Sequence, residues 1–215
     1  MKTWRDWMNG VIDGWFPLTC AYCLQPISDE GLCCDCMELG RDLLTVEPKI
    51  DLDGMEVFVA YRYEGIVQEL VQRLKYGKDM HAGTGLTHLM RMAWTSRAIS
   101  APDLVLPMPL SVIRRAERGF NQTEIVAKPL AASLGVICTH AGLKRAHRPR
   151  QASLGRQARL TNVVGSFRCT RPCHGDVLVV DDVLTTGATL LAARDALIHA
   201  GANSVRAAVI AQVVD

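Results

Sequence analysis

The chain has 215 residues, 49% of them hydrophobic and 21% charged, with a formal net charge of +2. That describes a soluble globular protein with one sizeable domain and room for a small appendage. No stretch reaches the apolar length of a membrane span, and the N-terminus lacks a signal peptide's apolar core and cleavage site, so a cytoplasmic protein is expected. The small net charge conceals an asymmetry. Residues 1–60 carry eleven acids against four Lys/Arg, whereas residues 125–175 carry nine Lys/Arg and no acid. A basic tract of that length suits an anionic ligand, a nucleic-acid surface or simply a solvated face.

In chain order, Trp4, Trp7, Met8, Val11, Ile12 and Trp15 follow the spacing of one apolar helix face. The opposite side is not rich in Lys/Arg, which favours packing on the chain's own core or a partner over lipid. Cys20-Ala-Tyr-Cys23 and Cys33-Cys34-Asp-Cys36 then form two Cys-x-x-Cys knuckles separated by nine residues. Each knuckle lets two thiolates converge on one ion, so Cys20, Cys23, Cys33 and Cys36 are the candidate ligands of a tetrahedral structural Zn²⁺, with Cys34 spare. Disulfides are the alternative, disfavoured in a cytoplasmic chain. Residues 1–50 are therefore expected to form an N-terminal helix and zinc-finger module, and residues 51–215 the main domain.

The main domain opens with a strand over Val57–Tyr61 and a helix whose apolar face is Ile66, Val67, Leu70, Val71 and Leu74. Lys75 and Lys78 beyond it are expected to face solvent. A second helix is expected over Leu86–Ala98 and a strand over Asp103–Met108, ended by Pro107 and Pro109. A third helix should start near Asn121 with Glu124 completing a capping box, and kink or stop early at Pro129. Cys138 is expected to be buried. Cys169, Cys173 and His174 suggest a partial metal site or, more simply, a loop without metal.

The most informative stretch is Asp176–Leu190, DVLVVDDVLTTGATL. Val177–Val180 is a β-branched apolar run of the kind found in a strand buried on both faces of a parallel sheet. Asp181 and Asp182 follow, then Thr185-Thr186-Gly187-Ala188-Thr189, then a helical pattern stopped by Gly201. In open α/β sheets, ligands bind beyond the carboxyl ends of strands. Small side chains and free N–H groups at a helix N-terminus suit a phosphate, and adjacent carboxylates suit the vicinal hydroxyls of a sugar, so the pattern points to a sugar phosphate.

VLVVDDVLTTGATL resembles the phosphoribosyl pyrophosphate (PRPP) signature of type I phosphoribosyltransferases. The resemblance implies that Asp181 and Asp182 contact the ribose hydroxyls and that Thr185, Thr186, Gly187, Ala188 and Thr189 cradle the 5′-phosphate. The whole layout adds paired cysteine knuckles, YEG…LVQRLKYGKD, LPMPL, RGFNQ and RQASLGRQARLTNVVGSF. In this order it is similar to the ComF/GntX family of phosphoribosyltransferase-like proteins. That likeness implies an α/β, type I phosphoribosyltransferase-like parallel sheet flanked by helices, with a small Cys₄ zinc module. It places Arg118, and with it Lys75, near the pyrophosphate end of PRPP, and makes Gln151–Arg159 a closing loop with Arg156 as its contact. The implied reaction is displacement of pyrophosphate from PRPP by a nitrogen nucleophile with Mg²⁺ on the leaving group, Asp181, Asp182 and Arg118 being the catalytic candidates. The alternative is a non-catalytic PRPP- or nucleotide-binding accessory of DNA uptake that contacts single-stranded DNA or a DNA-processing protein.

Overall fold

The computed structural model describes residues 18–97, 99–145 and 166–213. The expected N-terminal helix and the loop carrying Arg156 lie outside these residues. Eight described strands fall into two sheets. The larger has the order β1 (Lys49–Leu52), β2 (Met55–Arg62), β8 (Ser204–Gln212), β7 (Asp176–Leu184), β3 (Leu104–Pro107), β4 (Ile137–Cys138). All neighbours pair in parallel except β1, an antiparallel edge hairpinned onto β2. The smaller sheet pairs β5 (Leu143–Arg145) with β6 (Phe167–Cys169), antiparallel. The fold is thus α/β, a mostly parallel sheet flanked by helices, with the cysteine segment and its short helix α1 (Cys34–Arg41) at its N-terminal end.

Alternation along β7 divides the core. Leu178 and Val180 join one buried cluster, with residues of α2 (Gly65–Tyr76), α3 (Met80–Thr95) and α5 (Gln122–Leu134). Val177 and Val179 join the other, with α6 (Ala188–His199) and the β5–β6 hairpin. The cysteine segment packs on the first face, through Cys20, Ala21, Leu32 and Cys36. Gly85 permits this contact, because a Cβ there would stand 3.0 Å from that of Ala21.

Three elements differ from their sequence expectation. Helix α3 begins at Met80 rather than Leu86, capped by Asp79, whose side chain accepts from the His81 and Ala82 N–H groups. Gly83 and Gly85 weaken the local helix propensity and hide that first turn, but tertiary contacts require both: a Cβ on Gly83 would stand 2.7 Å from Ile125 Cγ2. Helix α5 continues past Pro129 to Leu134. The missing proline N–H leaves the Ile125 carbonyl without its helical donor, and the Thr87 hydroxyl of α3 donates to that carbonyl at 3.1 Å. Strand β7 runs on through both aspartates to Leu184. Cys138 is only half-buried.

Pro107 ends β3 without cost to the ladder. The Met108 N–H donates to Val180 O, so the Pro107 nitrogen faces the β4 side, where β4 pairs only with Leu104 and Val105. From β3 the chain moves outward to β4 and then returns to β7 on the other side of β3. The connections leaving β3 and β7 therefore diverge, and a crevice opens at their carboxyl ends.

Candidate functional site

The crevice is built from the end of β7 and the start of α6. Asp181 and residues 183–190 line a concavity. Gly187, at φ +73°, is the N-cap of α6, with no side chain capping the helix. The first amides of α6 thus have no partner among the described residues and stand at the positive end of the helix dipole. A Cβ on Gly187 would stand within 2.4 Å of Leu52 Cδ2, so β1 packs directly beneath the turn. Thr185 and Thr186 are exposed, and Ala188 and Thr189 half-buried. The five residues expected to form the cradle are contiguous around one hollow.

The two acids face different neighbours. Asp182 is buried, with Lys75 Nζ 2.7 Å from Oδ1 and Gln122 Nε2 donating to Oδ2 at 2.7 Å. Lys75 comes from α2 and Gln122 from α5, both on the first face of the sheet. Lys75 is therefore a sheltered ion-pair partner rather than the solvent-facing cation its position suggests. Asp181 lines the concavity and accepts from the Asp182 N–H at 2.9 Å. Burial, and then the Asp182 carboxylate, push the Asp181 carboxyl up to about 7, against the opposing pull of the Asp182 amide, Lys75 and Arg145.

Arg118 closes α4 (Val112–Arg118). Its guanidinium lies 5.9 Å from the centre of the Tyr76 ring, and Nη1 is buried without a hydrogen-bond partner among the described residues. Gln122 Oε1 is likewise unpartnered. A free forked donor of this kind suits an anion. Asn121, the N-cap of α5, donates through Nδ2 to Met108 O at 3.0 Å, and Thr123 Oγ1 donates to the same carbonyl at 2.9 Å, which ties α5 to the end of β3. Only the asparagine half of the expected capping box forms: Glu124 turns instead to Arg115 and Lys128, at 3.5 Å each.

Gln122 and Arg145 escape sequence reasoning as site residues. Gln122 reads as one letter of RGFNQ, and nothing local signals its bond to a carboxylate 60 residues away. Arg145 reads as one more member of the basic tract. It lies 5.3 Å from the centre of the Phe167 ring across the hairpin, and its charge acts on Asp181. Burial, and then Arg114, hold its guanidinium below the usual arginine range.

At the cysteine segment, the sulfurs of Cys20, Cys23, Cys33 and Cys36 all lie within 4.8 Å of one another, with 3.7 Å between those of Cys23 and Cys33. Tetrahedral zinc with Zn–S bonds of about 2.3 Å sets its sulfurs about 3.8 Å apart. Burial alone would raise the Cys20 thiol, but the N–H groups of Cys33, Cys23 and Tyr22 directed at the sulfur bring it down to about 6. Burial, and then its crowding with the other three thiols, pushes Cys36 strongly up. Four thiols this close cannot all ionise unaided, and a divalent cation is the partner that resolves the crowding. The donor set is compatible with structural zinc. Cys34 is exposed and outside the cluster. Cys169, Cys173 and His174 form no three-ligand group among the described residues.

Residues 124–213, which include β7, the threonine-glycine turn and α6, match the phosphoribosyl transferase domain family. Over that stretch the chain is similar to the phosphoribosyl transferase domain. Over most of its length it is similar to ComF-type proteins, the resemblance that its motifs carry. DNA utilization protein YhgH of Salmonella typhimurium is 26% identical over 88% of this chain and 95% of its own length. Competence protein ComFC of Bacillus subtilis is 26% identical over 85% and 72%. Competence protein F of Haemophilus influenzae is 28% identical over 56% and 57%. Among solved structures, adenine phosphoribosyltransferase from Leishmania tarentolae aligns with 79% of this chain and 94% of its own, at 10% identity and a TM-score of 0.42. Among the described residues, no helix is long and apolar enough to cross a membrane.

Proposed function

We propose that the protein binds PRPP at the end of β7 and transfers its phosphoribosyl group to a nitrogen acceptor, releasing pyrophosphate. The observation that carries this is the juxtaposition of free α6 amides, the Thr185–Thr189 turn and the Asp181 carboxylate around one hollow, inside the stretch that matches the phosphoribosyl transferase domain. In this reading the turn holds the 5′-phosphate and the acidic end of β7 takes the ribose hydroxyls, Asp181 facing them. Arg118 offers its free Nη1 to the pyrophosphate, and Arg156 serves as the closing-loop contact. The displacement passes through an oxocarbenium-like state, so it needs alignment and charge stabilisation more than a strong base. Mg²⁺, when bound, neutralises the leaving group. Among the described residues, Asp181 is the acid lining the hollow and would be the side chain that helps hold the ion. The Cys₄ cluster would hold one Zn²⁺ as a structural ion within a module of residues 1–50, the transferase domain occupying 51–215.

A second reading, a non-catalytic PRPP- or nucleotide-binding accessory that contacts DNA, is favoured by the printed names of the relatives, "DNA utilization" and "Competence". One experiment separates the two. The protein, PRPP and Mg²⁺ are incubated with a panel of nucleobases and other amines while pyrophosphate release is followed, alongside titration with a labelled single-stranded oligonucleotide at two salt concentrations. Acceptor-dependent release of pyrophosphate is the expected result. PRPP binding without release, together with oligonucleotide affinity that falls steeply with salt, would replace transfer by the accessory role.

A further inference from the structure

Helix α4 follows β3 and leads into α5, yet none of its seven residues is buried. Its apolar side chains Val112 and Ile113 are exposed, so the core packing that usually fixes a helix does not set its direction. The link to α5 is a left-handed turn at Gly119, φ +83°, with open space where a Cβ would stand. Helix α5, in contrast, is pinned to the end of β3 through Asn121 and Thr123. What reaches back from α5 across the turn is a charge contact. Arg115 Nη1 lies 3.5 Å from Glu124 Oε1. The Glu124 side chain is 15% exposed and that of Arg115 58%, so the carboxylate is the fixed end and the arginine reaches in to it.

Glu124 forgoes the cap that its place in the sequence offers. Its Oε1 is buried without a hydrogen bond among the described residues, although Arg115 Nη1 and His140 Nε2 each stand 3.5 Å away. Lys128 Nζ, one turn on, lies 3.5 Å from Oε2. A sheltered carboxylate short of donors depends on the basic groups around it, and of these three partners Arg115 alone belongs to α4. One turn further along α4 is Arg118, over the Tyr76 ring with Nη1 unpartnered among the described residues. We propose that Glu124 is a positioning residue: by holding Arg115 across the Gly119 turn it sets the direction of α4 and so aims Arg118 at the pyrophosphate of the ligand. The proposal rests on the PRPP reading above and gives the acid of the expected capping box a tertiary role in place of the local one.

The test compares wild type, Glu124→Gln, Arg115→Met, the double variant Glu124→Gln/Arg115→Met and Lys128→Met by calorimetric titration. Each is titrated with PRPP and, separately, with ribose 5-phosphate, which lacks the pyrophosphate. Glu124→Gln and Arg115→Met are each expected to weaken PRPP binding about fivefold, the upper end for a partly exposed ion pair, and to leave ribose 5-phosphate binding unchanged. The double variant should bind PRPP no more weakly than the weaker single variant, because both changes break one contact. Lys128→Met, whose contact with Glu124 stays within α5, should bind PRPP as wild type does. Equal losses for the two ligands, a loss in Arg115→Met alone, losses that add in the double variant, or a loss in Lys128→Met as large as in Arg115→Met would each overturn the proposal. Should wild type bind neither ligand, or both alike, the PRPP reading fails by itself. Hydrogen exchange of the α4 amides without ligand then still decides the positioning role. Faster exchange confined to residues 112–120 in Glu124→Gln and Arg115→Met upholds it, and unchanged exchange there overturns it.

Discussion

At the scale of single residues, Asp181 is the acid that lines the hollow at the end of β7. Its carboxyl is raised to about 7, whereas in the unfolded chain it titrates near 4. The folded state therefore keeps its proton to higher pH than the unfolded state. The stability linked to this group is fully present below about pH 4, falls as pH rises towards 7, and is flat above that. Asp181→Asn removes the dependence. Urea unfolding of this variant should show it more stable than wild type at pH 8 by roughly 1 kcal/mol or more, with the difference shrinking towards pH 4. Its affinity for PRPP should fall at least tenfold at pH 8, because the amide supplies one acceptor where the carboxylate supplies two. A variant both less stable and unchanged in affinity would contradict the assignment of Asp181 to the hollow.

Among the elements, α5 shows how a local rule is broken and compensated. Pro129 cannot donate to Ile125 O, and the hydroxyl of Thr87 on the neighbouring helix does so instead. Thr87→Val is nearly isosteric and leaves that carbonyl unpaired, at an expected cost of roughly 1–3 kcal/mol in chemical denaturation. Thr87→Ser, which keeps the hydroxyl, should cost well under half as much. Equal losses in the two variants would show that the Thr87 methyl packing, rather than the hydrogen bond, matters. The same comparison reports on the site, since α5 delivers Gln122 to Asp182 and is pinned to β3 by Asn121 and Thr123.

For the whole molecule, the cysteine segment is continuous with the first face of the core and braces the helix that carries Lys75. Arg73 of α2 donates to the Tyr22 carbonyl between Cys20 and Cys23 at 3.3 Å and pairs with Asp79 at 2.7 Å. His81 Nε2 lies 2.9 Å from Thr19 O. One zinc per chain is expected by elemental analysis of protein purified without added metal. Cys36→Ser should abolish it and lower the melting temperature by several degrees, whereas Cys34→Ser should retain the metal. Removing the ion from wild type should also weaken PRPP binding, because α2 loses the support beneath Arg73. Iron in place of zinc, or an unchanged melting temperature after complete chelation, would refute the structural role.

Much of this molecule is legible along the chain, because the signals are local. The apolar run of Val177–Val180, the small residues of the following turn and the spacing of the four cysteines each depend on residues within about 20 positions of one another. Strand, turn, helix and metal knuckles follow from these without knowledge of the rest of the fold. What tertiary structure decides are relations across the chain that no local pattern encodes. The start of α3 is masked by glycines whose purpose is to admit Ala21 and Ile125. The passage of α5 through Pro129 depends on a hydroxyl 38 residues earlier. The two aspartates of β7 are chemically identical in sequence, yet strand alternation sends one towards Lys75 and Gln122 and the other into the hollow. The chain by itself determines which groups are available. Which carboxylate is neutralised and which is left free is set by packing, because charge interactions depend on distance and burial rather than on order along the chain.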